Sequence, residues 1–401
     1  MAGAAADTRM LRPSWKEIGM QYRKFGKLDW RVSALGFGTM RLPLTNSDPA
    51  SVDESESIRM IRYAIDHGVN YIDSAYLYHS GRSEPVLGQA LKNGYRQRMK
   101  LATKLPARLV ESASDFDRFL NEQLERLETR IDFYLLHGLN KHSWLKIRDL
   151  GVLRWAESAM ADGRFDYLGF SFHDEFGVFK EIVDAYDDWT LCQIQYNYID
   201  VDFQAGRRGL EYAAGKGLAV VIMEPLQGGR LAKKPAEPVE KVWDSAAQKR
   251  TPAEWGLMWV WNQPEVSVAL SGMSAMAQVV ENVAVAGRSG PGTLTMDEMA
   301  LFDRVREAYQ GMNPIPCTSC AYCMPCPNGV QISGIFQIYN EAVIHGDPRT
   351  GRFRYRGPTG LKEEERADQC IECGDCVLAC PQGIPIPEWL RKAHELLGPR
   401  K

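Results

Sequence analysis

The chain has 401 residues, 45% of them hydrophobic and 25% charged, with a net charge of −3 from 48 basic and 51 acidic side chains. That balance makes no case for nucleic acid or an anionic membrane as the main partner, and the longest apolar runs, such as GLAVVIM, are far too short to span a bilayer. The length suits one barrel of about 250 residues followed by a smaller module.

Residues 1–20 carry Arg9, Arg12 and Lys16 but no apolar core. They read as a flexible extension and not as a signal peptide. Tyr22 to Val32 reads as a β-hairpin turning at Gly26 and Lys27, placed to cap the bottom of a barrel. The first barrel strand is VSALGFGTM, and further apolar strands fall near 69–73, 99–103, 131–136, 167–171, 191–196, 218–223 and 266–270. Helical periods lie between them, as in Ser57 to His67 and in Asp115 to Leu127, whose Phe116, Phe119, Leu120, Leu124 and Leu127 share a face. Eight strands, seven intervening helices and one after them predict a (β/α)8 TIM barrel over residues 21–290. An open doubly wound sheet is the alternative, but no GxGxxG follows the first strand.

Pro252 to Trp261 and Ala275 to Ala286 also read as helices, with Trp255 and Trp259 as core residues. The long stretch EPLQGGRLAKKPAEPVEKVWDS after the seventh strand is either a lid or cofactor clamp at the barrel mouth or a solvated excursion. GRSGPG, 287–292, is a break, and Thr295 with Glu298 forms a capping box that opens a helix to about Tyr309. Residues 291–316 then join the barrel to a last domain, 317–401.

Four polar residues stand where successive strands stop. Asp73 closes the strand in NYIDSAYLYHS, Tyr78 follows five residues later, Lys104 ends KLATK and His137 ends DFYLLH. The ends of parallel strands are where such a barrel keeps its chemistry. Singly, a strand-end Asp is usually a cap and a lone His a satisfied structural group; four on strand ends two, three and four make an acid–base constellation. This set, with Glu84 and Gly88 after it, resembles the catalytic tetrad of the aldo-keto reductases, and the similarity runs from about Tyr22 to Ala286. The resemblance implies reduction of a carbonyl, or oxidation of an alcohol, by hydride transfer with NADP or NAD. In it Tyr78 is the proton donor, Lys104 lowers its pKa, Asp73 orients Lys104, and His137 grips the substrate oxygen.

The resemblance also implies a nicotinamide cofactor across the barrel mouth. Its contacts map to Gly38, Thr39 and Met40 after the first strand, Ser171 after the fifth, Gln193 on the sixth and Met223 on the seventh. Gly272, Ser274, Gln278 and Asn282 map to the adenosine-phosphate segment, where a helix start offers amide donors. Three positions depart from the family: Phe172 and His173 follow Ser171 where an Asn is common, Met223 replaces an aromatic, and Gly272 and Gln278 stand where basic residues meet a 2′-phosphate. The choice between NADP and NAD stays open.

Eight of nine cysteines fall in the last 85 residues. Cys317, Cys320, Cys323 and Cys326 form C-x2-C-x2-C-x2-C-P, and Cys370, Cys373, Cys376 and Cys380 form C-x2-C-x2-C-x3-C-P. The second run has the bacterial ferredoxin spacing for a 4Fe–4S cluster, in which the fourth cysteine serves the other cluster. This predicts two clusters, one on Cys317, Cys320, Cys323 and Cys380, the other on Cys326, Cys370, Cys373 and Cys376. The first run departs by one residue before Cys326. Zinc is the rival, but its sites usually pair two CxxC knuckles across a longer loop. Metal ligation rather than disulfides points to a reducing compartment, the cytoplasm. Cys192, in a strand, reads as a buried small residue.

Between the runs, Ile332 to Ile344 looks helical. The basic GRFRYRG is either a dock for an acidic, ferredoxin-type electron-transfer partner or a solvated loop. The whole reads as a cytoplasmic aldo-keto reductase-like oxidoreductase, acting on a small carbonyl or alcohol, with a ferredoxin-like iron–sulfur domain. The alternative is a ferredoxin-linked enzyme or electron-transfer subunit in which the clusters carry the reducing equivalents and nicotinamide is secondary.

Overall fold

The computed structural model describes residues 19–399 except Ser47, Asn313, His345, Pro358 and Thr359. The expected extension therefore lies, as far as residue 18, outside the described residues.

Strands β1 (Tyr22–Phe25) and β2 (Leu28–Ser33) pair antiparallel as the predicted hairpin. Gly26 turns it at φ +54°, and a Cβ there would come within 2.5 Å of the Ala219 amide nitrogen, so only glycine lets the turn press this close. The hairpin thereby drives Phe25 into the strand-start end of the barrel, against Trp30, Tyr71 and Phe133 at ring distances of 5.2, 5.8 and 5.0 Å. Phe25 joins Val32, Ala102, Leu135, Leu191, Val221 and Val268 in a filled interior. The barrel is thus a packed core open only at its far mouth.

Eight parallel strands close it: β3 (Leu35–Gly38), β4 (Tyr71–Asp73), β5 (Lys100–Leu105), β6 (Ile131–Leu139), β7 (Phe165–Phe172), β8 (Leu191–Gln195), β9 (Ala219–Met223) and β10 (Val266–Gly272). β10 returns to β3 through Ala269 opposite Leu35 and Gly272 opposite Gly38. A second core lies between this wall and the helices.

Two crossovers carry two helices rather than the one expected. Between β6 and β7, Asn140 and Ser143 form a capping box that starts Lys141–Asp149, and a turn at Leu150 and Gly151 leads into Val152–Ala161. Between β9 and β10, Glu237–Asp244 precedes Pro252–Trp261. The long stretch after β9 is therefore largely structured: Gln227–Ala232 makes a tight turn, and Trp243 stacks on Trp255 at 4.7 Å.

Trp255 and Trp259 are buried core, as their spacing implied. The predicted capping box forms, with the Thr295 amide donating to Glu298 Oε2 at 2.9 Å and the Glu298 amide to Thr295 Oγ1 at 3.2 Å. The helix it opens, Met296–Met312, lays Phe302 against Tyr198, Trp243 and Trp255 on the barrel flank.

The last domain has its own small core, including Ile315, Val330, Phe336, Tyr355, Ile384, Leu390 and Leu397. Ile332–Ile344 is the helix expected there. GRFRYRG is not a loop. It forms most of the helix Pro348–Arg356, capped by Asp347, with Tyr355 fully buried. Two of its arginines serve the domain itself: Arg352 donates to the Leu396 carbonyl at 3.0 Å and Arg354 pairs with Glu341. Cys192 is buried in β8, and that burial pushes its thiol pKa up.

Candidate active site and iron–sulfur domain

β4, β5 and β6 deliver Asp73, Lys104 and His137 to the barrel mouth, and the turn Tyr78–Gly81 brings Tyr78 over them. Lys104 Nζ donates to Asp73 Oδ1 at 2.5 Å and to the Ser74 carbonyl at 2.7 Å, and lies 3.4 Å from the Tyr78 hydroxyl. Tyr78 meets His137 edge-on at 5.9 Å. All four line one cavity of about 120 Å³.

The scaffold beneath them is polar and satisfied. Thr39 Oγ1 donates to the Asp73 carbonyl at 3.1 Å, and Ser83 Oγ donates to Thr39 Oγ1 at 2.6 Å. Glu84, buried behind β5, accepts from Thr103 and Gln123, both at 2.6 Å. Such a shell fixes the reacting groups before substrate arrives.

The electrostatics differ from expectation at Tyr78. Its phenol sits well above the usual tyrosine range, because burial dominates and Asp73 and Glu224 add to it, with Arg41 opposing. Lys104, 3.4 Å from the Tyr78 oxygen, is itself paired at close range with Asp73. Within that pair, burial raises Asp73 and lowers Lys104 by more than their mutual attraction restores, the usual balance for a buried ion pair. His137 is held well below the ordinary histidine value by burial, then by Lys104, His173 and Arg108.

Of the cofactor positions, Gly38, Met40, Ser171, Gln193, Met223 and Gly272 line the same cavity. Ser171 Oγ accepts from the Gly138 amide at 2.7 Å. The Gln193 side chain interacts with the Asp73 carboxylate, and Gln193 Oε1 is a buried acceptor with no partner among the described residues. Thr39 lies behind the wall. Ser274 and Gln278, at the start of the helix Met276–Gly287, and Asn282, in its middle, stand outside the cavity: the Ser274 amide donates to Gln278 Oε1 at 2.8 Å, and Asn282 Nδ2 to Ser271 Oγ at 3.0 Å. His173 bonds Gln204 at 3.3 Å, and burial pushes its pKa down to about 4.

Sequence reasoning missed the roof. Thr318, Cys320, Tyr322, Pro381 and Gln382, all from the last domain, line the cavity of the tetrad. Tyr322 OH lies 3.3 Å from His137 Nε2. Gln382 Nε2 donates to Gln195 Oε1 at 2.9 Å, and Gln204 Nε2 to the Pro381 carbonyl at 2.6 Å. Arg41 donates to the Thr318 carbonyl at 2.8 Å, arches over Gly272 and lies 4.0 Å from the half-buried Glu224. A Cβ on Gly228 would strike the Thr318 carbonyl, so the turn after β9 serves as the seat of the cysteine loop. These contacts span up to 277 positions, and no local pattern signals them; the one available hint was an aromatic residue between two cysteine ligands.

The cysteines fall into two groups. Cys317, Cys320, Cys323 and Cys380 line one small cavity. Cys326, Cys370, Cys373 and Cys376, with Cys323 at the shared edge, line another of about 520 Å³.

The model of the aldo/keto reductase family matches residues 34–307. The chain belongs to that family. A 4Fe-4S dicluster domain model matches residues 316–384, so the barrel of this family member is followed by an iron–sulfur, ferredoxin-like domain. Among its relatives, 6-dehydroglucose reductase of Novosphingobium aromaticivorans is 27% identical, covering 65% of this chain and 88% of that protein. L-galactose dehydrogenase of Arabidopsis thaliana is 25% identical, covering 66% and 88%. The solved aldo-keto reductase from Bacillus halodurans, in its holo form, superposes with a TM-score of 0.60 at 26% identity, covering 71% of this chain and 96% of that one. One from Klebsiella pneumoniae in complex with NADPH gives 0.57 at 25%, covering 72% and 95%. The chain is an oxidoreductase of this family, and no helix among the described residues is long and apolar enough to cross a membrane.

Proposed function

We propose that the barrel reduces a small carbonyl compound with NADPH or NADH, in the cytoplasm, and that the last domain carries two 4Fe–4S clusters. The observation that carries the first part is the convergence of Asp73, Tyr78, Lys104 and His137 on one cavity. Nicotinamide, when bound, supplies the hydride. The residues present suit it: Gln193 Oε1 is a buried acceptor that an amide donor such as a carboxamide would satisfy. Arg41, beside Gly272, supplies a cation for a phosphate where the family's basic residues are missing. Gly38, Met40, Ser171, Met223 and Gly272 complete the wall, while Thr39 acts from behind it; Ser274, Gln278 and Asn282 would hold the adenosine end.

Tyr78 gives its proton to the developing alkoxide, and its buried phenol keeps that proton at all physiological pH values. Lys104, held by Asp73 and Ser74, donates a hydrogen bond to the Tyr78 oxygen and so stabilises the phenolate as the proton leaves. Neutral His137 grips the carbonyl oxygen through Nε2 and orients it toward Tyr78.

The sign of the pH dependence follows. The donor is active while protonated, so activity is lost only as pH rises through the raised Tyr78 value. His137 gains charge only below its lowered value. A kcat/KM profile flat from about pH 6 to about pH 9 is expected; an inflection near the ordinary histidine value would overturn this assignment of states.

The grouping of the cysteines supports Cys317, Cys320, Cys323 and Cys380 for one cluster and Cys326, Cys370, Cys373 and Cys376 for the other. The exposure of Cys373 and Ile371 favours the second set as the face for a ferredoxin-type partner. A second reading, in which the clusters feed the carbonyl directly, is favoured by one observation: Cys320 lines the tetrad's cavity. One experiment separates the two. With clusters pre-reduced by dithionite, excess reductant removed and no nucleotide added, no product is expected in a single anaerobic turnover. With deuterated NADPH or NADH, deuterium should appear at the carbinol carbon. Stoichiometric product without nucleotide would establish the second reading.

A further inference from the structure

The iron–sulfur domain places one side chain against the reacting groups. Tyr322 sits on the short turn between Cys320 and Cys323, so its backbone is tied at both ends to residues of one ligand set. Its hydroxyl shares a hydrogen bond with His137 Nε2 at 3.3 Å, and its ring meets the imidazole edge-on at 6.3 Å. A ring nitrogen offers one direction for a hydrogen bond, as donor or as acceptor according to tautomer. The substrate oxygen and the Tyr322 hydroxyl therefore cannot both occupy Nε2.

Tyr322 is also a partition. The inner cavity of about 120 Å³ is separated from an outer groove of about 1160 Å³ between barrel and domain. Both are lined by His137, His173, Tyr322, Pro381 and Gln382. The groove continues past Arg108, whose guanidinium stands 6.0 Å over the Tyr322 ring, to Lys141, Phe203 and the exposed Leu378. It is the wide approach to a narrow reaction chamber.

We propose that Tyr322 is the gate of the carbonyl site: at rest its hydroxyl holds the position on His137 that the substrate oxygen must take, and its ring divides the chamber from the groove by which substrate arrives. Because the turn is tied to cysteines on both sides, opening is a rotation of the side chain toward Arg108 and not a displacement of the domain. Specificity follows from the same geometry. A carbonyl at the end of a slender arm passes the ring, with the bulk of the molecule left in the groove; a carbonyl flanked by two bulky groups is rejected. This inference rests on the assignment of His137 to the substrate oxygen, and its test includes a readout that needs no turnover.

Two variants of the holoprotein, Tyr322→Phe and Tyr322→Ala, would be treated with diethylpyrocarbonate, which carbethoxylates a free imidazole nitrogen, and the modified histidines counted by peptide mass spectrometry. The exposed His142 in the groove is the internal standard. His137 should react at least several-fold faster in Tyr322→Phe, where only the hydroxyl is gone, and faster still in Tyr322→Ala. For a small aldehyde, KM should fall about 3- to 10-fold in Tyr322→Phe, the worth of one net hydrogen bond removed from the competitor. In Tyr322→Ala, kcat/KM for a carbonyl flanked by two bulky groups should rise at least tenfold relative to the small aldehyde. Should Tyr322→Ala fail to retain its clusters, Tyr322→Phe alone decides. An unchanged His137 reactivity in Tyr322→Phe overturns the gate. A protein with the predicted reactivity but no nucleotide-dependent turnover keeps the gate and overturns the proposed reaction instead.

Discussion

Replacing Tyr78 by phenylalanine is expected to cut carbonyl reduction about 10²–10⁴-fold, the usual cost of losing one general acid, without loss of nucleotide affinity. The change removes a single oxygen. The ring stays in its pocket, edge-on to His137, so no cavity opens. Lys104 keeps Asp73 at 2.5 Å and the Ser74 carbonyl at 2.7 Å and loses only the longer contact. Fold and proton donation are thereby separated, which a change at Lys104 cannot do. Removing that ammonium would strand a buried carboxylate, at about 3–5 kcal/mol of stability, and a dead enzyme would then report on folding as much as on chemistry. Steady-state rates and nucleotide titration of the phenylalanine variant check the prediction. Turnover at the wild-type rate would take the proton-donor role away from Tyr78.

Much of this architecture is legible in the sequence because the signals are local. A strand and a helix recur eight times, the hairpin announces itself through Gly26 and Lys27, and each reacting residue stands at the end of its own strand. The misread segments have equally specific causes. GRFRYRG looked like a solvated basic loop because three arginines outweigh one tyrosine in composition. Yet Asp347 followed by Pro348 is a helix start, and Tyr355 needs burial; its hydroxyl accepts from the Ala367 amide at 2.8 Å. The doubled crossover between β6 and β7 was missed because a turn at Leu150 and Gly151 divides what looked like one connection. The rise in the Tyr78 pKa follows from burial, then from Asp73, and then from Glu224, whose nearness depends on how β9 ends. The docking of the last domain is the largest omission, and periodicity carries no trace of it. Thr318, Tyr322 and Gln382 are unremarkable neighbours of cysteines until the barrel mouth is beneath them.

That docking gives the iron–sulfur domain a role in the site whatever electrons it passes. Two of its loops, one at Thr318 to Tyr322 and one at Pro381 and Gln382, complete the wall that β4, β5 and β6 begin. The barrel keeps its own cores without them, whereas the domain has a core of only modest size.

Protein isolated without oxygen should be brown and contain about eight irons and eight acid-labile sulfides per chain, as two four-iron clusters require. Stripping that iron, by oxidation in the presence of a chelator, is expected to unfold the last domain outright while the barrel remains folded. A segment this short buries too little apolar surface to hold itself together, and metal binding supplies the difference in such domains. The ligands are also spread through it: Cys380 is 57 or more positions from the other three of its set, and Cys326 is 44 or more from its three partners. Each cluster therefore closes a long loop, and its loss releases two segments at once. Limited trypsin treatment reads the outcome, because Arg352, Arg354 and Arg356 lie in the helix Pro348–Arg356 and become cleavable only if that helix is lost. The expected product is a resistant fragment that retains the barrel and the helix Met296–Met312, whose Phe302 is anchored among Tyr198, Trp243 and Trp255. In that fragment Tyr322 and Gln382 no longer close the cavity, and His137 should react freely with diethylpyrocarbonate. An iron-free chain that resists trypsin throughout 317–399 would show that the domain holds its shape unaided, and zinc in place of iron would end the cluster assignment.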